Sequence, residues 1–341
     1  MVWKVLAMRL RCLTLFAAIA AMGLPRAGHT QAAGSLVTAE PIVATPAGMQ
    51  AWRIAYLTTS EDGRAVKVTG MVIAPREAQP REPRAVIAWA HGTSGVAEKC
   101  ALSTNARFFD ATPALGDMIR AGYVVVAPDY PGLGSPITHG YLVGRETGRS
   151  VLDAVRAARA IPGAFAGSRF AAWGESQGGH AALWTAIESR TYAPELTLVG
   201  TAAAAPPTDL VQNLRLGSDP NVRAMLTAFL AYSWSERLAA PLKTLFNPLE
   251  RGVVTRLARN NCVDLDASPR IGTILGVAAV RKAMKNKDLG RIEPWASLAR
   301  RNSPAARAVP GPVFLAQSMA DPIVAPQVTL AFARALCRAG R

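Results

Sequence analysis

Two hydrophobic rhythms alternate along most of the chain. Residues 52–60 and 66–75 alternate apolar with polar positions on either side of Glu61-Asp62-Gly63-Arg64, which predicts two strands joined by a turn. Residues 85–90, 123–127, 169–173, 196–205 and 312–317 are short apolar runs, the pattern of strands covered on both faces. Helical spacing lies between them. Residues 112–121 end at Gly122, and 146–161 place Val151, Leu152, Val155, Ala158 and Ile161 on one face. Residues 179–187 are alanine-rich, and 324–338 form a last helical stretch. Strands that alternate with helices predict an α/β fold, a mostly parallel sheet with helices on both faces. After Pro206-Pro207 the rhythm changes. Residues 208–305 hold no clear strand, while Val222, Met225, Leu226, Phe229, Leu230 and Trp234 recur at helical spacing, and 271–284 also read as helix. That segment is expected to be a helical insertion, of the kind that loops in α/β folds accept.

The start of the chain follows neither rhythm. Lys4, Arg9 and Arg11 precede an apolar run, residues 12–24, and Pro25 with small residues follows. A run of this length that ends in helix breakers predicts a secretory signal over residues 1–33 rather than a membrane span, and a secreted or periplasmic protein. The expected organisation is then a core in two parts, residues 34–205 and 306–341, interrupted by a helical cap at 206–305.

Half of the residues are hydrophobic, enough for a sizeable core. The net charge is +15, or +11 once Lys4, Arg9, Arg11 and Arg26 are set aside. The arginines are scattered and aromatics make up only 6%, which argues against a nucleic-acid partner and for a solvated basic surface. Attraction to an anionic lipid–water interface stays open. Beyond the signal the chain keeps Cys100, Cys262 and Cys337, an odd number, so one bridge and one leftover thiol is the simplest arrangement.

The chemistry converges on Gly174-Glu175-Ser176-Gln177-Gly178, which has G-x-S-x-G spacing between a predicted strand and a predicted helix. In that setting a sharp turn lifts Ser176 to the head of the helix as a nucleophile. The glycines two residues to either side remove clashes, and the Gln177 N–H faces a developing oxyanion. A second oxyanion donor belongs in the loop after an earlier strand, which points to Thr93 in His91-Gly92-Thr93. Serine needs a base, and the base an orienting acid. Asp321, just past the last strand, is in place for that acid; as a plain structural residue it would be a turn or helix-capping carboxylate. The chemistry calls for no metal or other cofactor.

Three strings carry a resemblance: His91-Gly92-Thr93-Ser94-Gly95-Val96-Ala97-Glu98-Lys99-Cys100, Ala127-Pro128-Asp129-Tyr130-Pro131-Gly132-Leu133-Gly134 and Gly174-Glu175-Ser176-Gln177-Gly178-Gly179, with Tyr141-Leu142-Val143-Gly144-Arg145 beside them. From about residue 40 onward the chain resembles the secretory lipase family of α/β-hydrolases. The resemblance implies hydrolysis of a small-molecule ester or lipid substrate through an acyl-enzyme, a helical cap before the acid loop, and a disulfide between Cys100 and Cys262. The stripe with Phe229 and Leu230 would then line the acyl site. One departure stands out. The family's base is a histidine roughly 20–40 residues after the acid, yet the 20 residues after Asp321 contain none. His29, His91, His139 and His180 all precede the acid, and a shortened or frame-shifted sequence is expected. A peptidase or acyltransferase on the same fold, and a lipid-binding protein without catalysis, are the rival readings.

Overall fold

A computed structural model describes residues 32–77, 79–263 and 269–341. Apart from its last two residues, the expected leader at 1–33 lies outside the described residues. The strands are β1 (Leu36–Ile42), β2 (Met49–Thr59), β3 (Ala65–Pro75), β4 (Arg84–Ala90), β5 (Val124–Pro128), β6 (Ala166–Glu175), β7 (Thr197–Ala204) and β8 (Val313–Ala316). They form one sheet in the order β1-β2-β3-β5-β4-β6-β7-β8. Pairing is antiparallel from β1 to β5 and parallel from β5 to β8. This is a mostly parallel sheet of the α/β class, as the alternation of strands and helices predicts, and it fits the α/β-hydrolase fold that the family resemblance implies.

Hydrophobic pattern explains which strands lie inside. All five residues of β5, Val-Val-Val-Ala-Pro, are buried, as a strand covered on both faces requires. β1 carries a mixed sequence, Leu-Val-Thr-Ala-Glu-Pro-Ile, with no buried residue, and lies at the sheet edge. Its pattern gives no strand signal, which is why sequence alone does not predict it.

The helices are α1 (Phe108–Ala111), α2 (Leu115–Arg120), α3 (Gly144–Arg159), α4 (Gln177–Tyr192), α5 (Leu210–Leu216), α6 (Pro220–Arg237), α7 (Pro248–Asn260), α8 (Ile271–Met284), α9 (Trp295–Asn302) and α10 (Pro326–Arg338). One face of the sheet packs against α3 and α4, and the predicted α3 stripe (Val151, Leu152, Val155, Ala158) is wholly buried there. On the other face Phe108, Leu115 and Ile119 pack against Met71, Ile73 and Val125. Between β7 and β8 the described residues contain helices α5–α9 and no strand, and they form a second apolar core around Phe229, Trp234 and Trp295. Among the described residues no helix is long and apolar enough to cross a membrane.

Cys100 and Cys262 form the disulfide, across a sequence separation of 162 residues. Cys337 is exposed and unpaired in disulfide terms. The bridge fastens the loop after β4 to the chain just past α7. A backbone bond from Val263 N–H to Ser94 O, 2.8 Å, lies beside it. A cross-link over so long a loop restricts the unfolded chain strongly and is worth roughly 2–5 kcal/mol.

Candidate active site

The site is built where β6 turns into α4. Ser176 has φ 52° and ψ −119°, a conformation that side chains rarely adopt. Its neighbours hold it there. Ser176 N–H donates to Ala204 O of β7 at 2.8 Å, and Ser176 O accepts from His180 N–H at 3.0 Å as α4 begins. The flanking glycines fit because nothing larger can. A Cβ on Gly178 would lie 1.8 Å from Ala90 O, and one on Gly174 would lie 2.4 Å from the Gly178 backbone. The turn therefore lifts Ser176, itself half-buried, to the positive end of α4. Gln177 is the first residue of that helix, so its backbone N–H is one of the helix's unpaired donors.

Ser176 and Gln177 open into a pocket of about 30 Å³. Tyr141 and Leu142 form one wall, Leu226 and Leu230 of α6 another, and Ile323 and Val324 close it. Leu230 therefore shares this pocket with Ser176. Phe229 is not in the lining; it is fully buried in the core of the inserted helices, edge-on to Tyr141 with ring centres 6.3 Å apart. Thr93 stands behind Tyr141, its hydroxyl 3.0 Å from the Tyr141 hydroxyl. Asp321 does not line the pocket; its loop neighbours Ile323 and Val324 do. Its carboxylate accepts from Ile323 N–H at 2.8 Å, Val324 N–H at 3.0 Å and the Gln317 amide at 3.1 Å. That loop is bound to the inserted helices: Pro322 O accepts from Ser218 N–H at 2.9 Å, and Ala325 N–H donates to the Asn213 side chain at 3.1 Å.

Each described histidine is engaged away from the Ser176 hydroxyl. His139 Nδ1 donates to Pro131 O at 2.9 Å. That fixes the tautomer, so His139 Nε2 accepts from the Gln177 side-chain amide at 2.7 Å. Burial pulls the His139 pKa down to about 3 and that of His180 to about 4. His180 Nε2 lies 2.6 Å from Asn302 O. Burial also lowers His91, whose ring nitrogens meet Gly92 O at 2.6 Å and Asp129 O at 3.4 Å. Glu175, next to Ser176 in the chain, has its carboxyl raised above the usual range by burial, an effect opposed by the Gly92 N–H. Burial pushes the Tyr141 hydroxyl up to about 12, so it remains a neutral donor or acceptor. Tyr141 is a site residue that the sequence does not single out. Its one signal is a place in a motif string, because contacts across 48 residues leave no periodicity. Among the described residues no three His, Cys, Asp or Glu side chains gather as a metal site.

Residues 100–237 match the family model described as secretory lipase. Lipase A of Moesziomyces aphidis is 28% identical over 167 residues, covering 46% of this chain and 35% of that protein. A protein named probable inactive lipase from Mycobacterium tuberculosis is 27% identical over 239 residues, covering 64% of this chain and 51% of that protein. The chain spans about a third of the length of the first curated relatives it matches. Candida antarctica lipase A superposes with a TM-score of 0.73 at 20% identity, covering 91% of this chain and 75% of that one. With the sheet order, the elbow at Ser176 and these matches together, the chain has the α/β-hydrolase fold and is similar to the secretory lipases over residues 100–237.

Proposed function

We propose that this is an exported serine hydrolase of carboxylic esters, acylglycerols or shorter acyl esters, working through an acyl-enzyme on Ser176. The observation that carries the reading is the strained Ser176 backbone at a strand-to-helix turn, held by two glycines that cannot be larger. Ser176 Oγ attacks the ester carbonyl. The Gln177 and Thr93 amides stabilise the oxyanion, where preorganised donors contribute most. Asp321 would orient a base to take the Ser176 proton, and among the described histidines none is placed as that base. Residues 34–205 and 306–341 make the core, 206–305 act as its cap, and export rests on the leader at 1–33. Because the space at Ser176 is about 30 Å³, far smaller than a usual ligand pocket, an acyl chain enters only when the α6 wall or the 321–325 loop gives way.

The test is acylation. With imidazole supplied as base, p-nitrophenyl octanoate should leave an octanoyl group on the peptide that contains Ser176, seen by mass spectrometry, and Ser176→Ala should remove it. Label on another residue, or no label at all, would overturn the reading. A second reading, a lipid-binding protein without catalysis, is favoured by one observation: the described histidines are all bonded elsewhere. It predicts lipid binding with no acylation.

Leu230 and Phe229 separate acyl recognition from core packing. Leu230→Ala should raise the rate of octanoyl relative to acetyl transfer, since the pocket wall recedes. Phe229→Ala should leave that ratio alone and lower stability by roughly 3–5 kcal/mol, read by urea unfolding. An unchanged ratio in Leu230→Ala removes this residue from acyl recognition.

A further inference from the structure

A second cavity lies across α5 from Ser176. It has a volume of about 380 Å³ and lies between α5, α6, the end of α8 and the turn at Leu289–Arg291. Leu214 lines both this cavity and the pocket at the nucleophile.

Its charge is one-sided. Arg215, Arg223, Arg281, Lys285 and Lys287 line it against one carboxylate, Asp288. That carboxylate is already shared: Arg215 Nε lies 3.5 Å from it, Arg291 Nε 3.3 Å, and it accepts the Gly290 N–H at 3.0 Å. Arg223 donates to Gly217 O at 2.8 Å and Arg281 to the Asn221 side chain at 3.1 Å, neutral partners that leave their charges uncompensated. Lys285 makes neither an ion pair nor a side-chain hydrogen bond with the described residues. The floor between these cations is apolar, from Leu214, Met284 and Leu289.

We infer that this cavity binds an alkyl carboxylate, its head group among Lys285, Arg223 and Arg281 and its chain on Leu214, Met284 and Leu289. An anion without a tail would leave the apolar floor wet, and an uncharged alkyl chain would leave the excess of positive charge unanswered. An alkyl carboxylate answers both, because it satisfies charge-assisted hydrogen bonds and buries methylenes together. The volume is within the range of small-molecule sites. Binding here does not depend on the ester-hydrolase reading. If that reading holds, the released acid is a ligand of this class and can settle on the far side of the helix that walls the nucleophile.

The experiment titrates the full chain with sodium octanoate below its micelle concentration, by calorimetry. Saturable one-site binding that weakens with added salt is expected. Lys285→Glu should weaken it about tenfold or more, the worth of a lost charge-assisted bond turned repulsive, with unfolding temperature unchanged because Lys285 is exposed. Lys243→Glu, an equal charge change outside the cavity, should leave affinity unchanged. Octanol and acetate should each bind far more weakly than octanoate. The proposal is overturned by absent saturation, by equal affinity in Lys285→Glu, by octanol binding as well as octanoate, or by acetate doing so. Ser176→Ala should bind octanoate as the parent does. Intact binding with no Ser176 acylation would reject the hydrolase reading and leave this site standing.

Discussion

Gly178→Ala should destabilise the protein by roughly 3 kcal/mol or more, since a methyl forced against fixed backbone is among the costlier kinds of overpacking. The added Cβ would sit 1.8 Å from Ala90 O and 2.7 Å from His91 O. Neither atom is the end of a mobile side chain. Ala90 ends β4 and is paired in register with Gly174 of β6, so relief requires two parallel strands to part at their carboxyl ends. The same movement carries the 91–95 turn away from Gln177, so Ser176 acylation should fall along with stability. Gly252→Ala gives the contrast. That glycine lies in α7 with nothing within 4 Å of an added Cβ, and the change should stabilise by about 0.5–1 kcal/mol. Urea unfolding of both variants beside the parent decides the matter. A Gly178→Ala protein as stable as the parent would mean that the elbow is looser than its contacts imply.

The elbow is legible in the sequence because its requirements are local. Two glycines, a serine and the change of period from strand to helix all lie within a few turns of chain. The parallel strands are legible for a related reason: burial on both faces leaves a continuous apolar run, as in β5. Direction is what the sequence hides. Phe229 and Leu230 are adjacent on α6, and the period marks both as apolar positions. Both are buried in the inserted core, but only Leu230 also lines the pocket at Ser176, since successive residues of a helix point in different directions. The pairing of Cys100 with Cys262 is equally closed to spacing arguments and follows only from the family strings. Charge misleads in a more instructive way. The arginines and lysines look scattered, and along the chain they are. Folding brings positions 215, 223, 281, 285 and 287 to one cavity, a convergence that linear distribution does not reveal.

The 341-residue chain should turn over p-nitrophenyl butyrate at no more than roughly 10³–10⁴ times the rate in water, the level left by an oxyanion hole and binding without a complete triad. For Ser176 to attack, its proton must pass to a base, and among the described residues no histidine is placed to take it. A base must offer a lone pair within reach of the hydroxyl. The His139 lone pair is taken by the Gln177 amide, and burial makes the ring a weak base with a pKa of about 3. His180 gives its N–H to Asn302 O, and its remaining nitrogen is buried without a partner on a ring whose pKa is about 4. His91 faces two carbonyl oxygens. The Asp321 carboxylate turns back onto its own loop instead of holding one of these rings. Imidazole added to the assay should therefore raise turnover in proportion to its concentration, and Ser176→Ala should abolish that rise. Steady esterase rates without imidazole would contradict the prediction. If those rates then vanished in His180→Ala or His139→Ala with the fold intact, the ring concerned would be the base, swung from the partner it holds here.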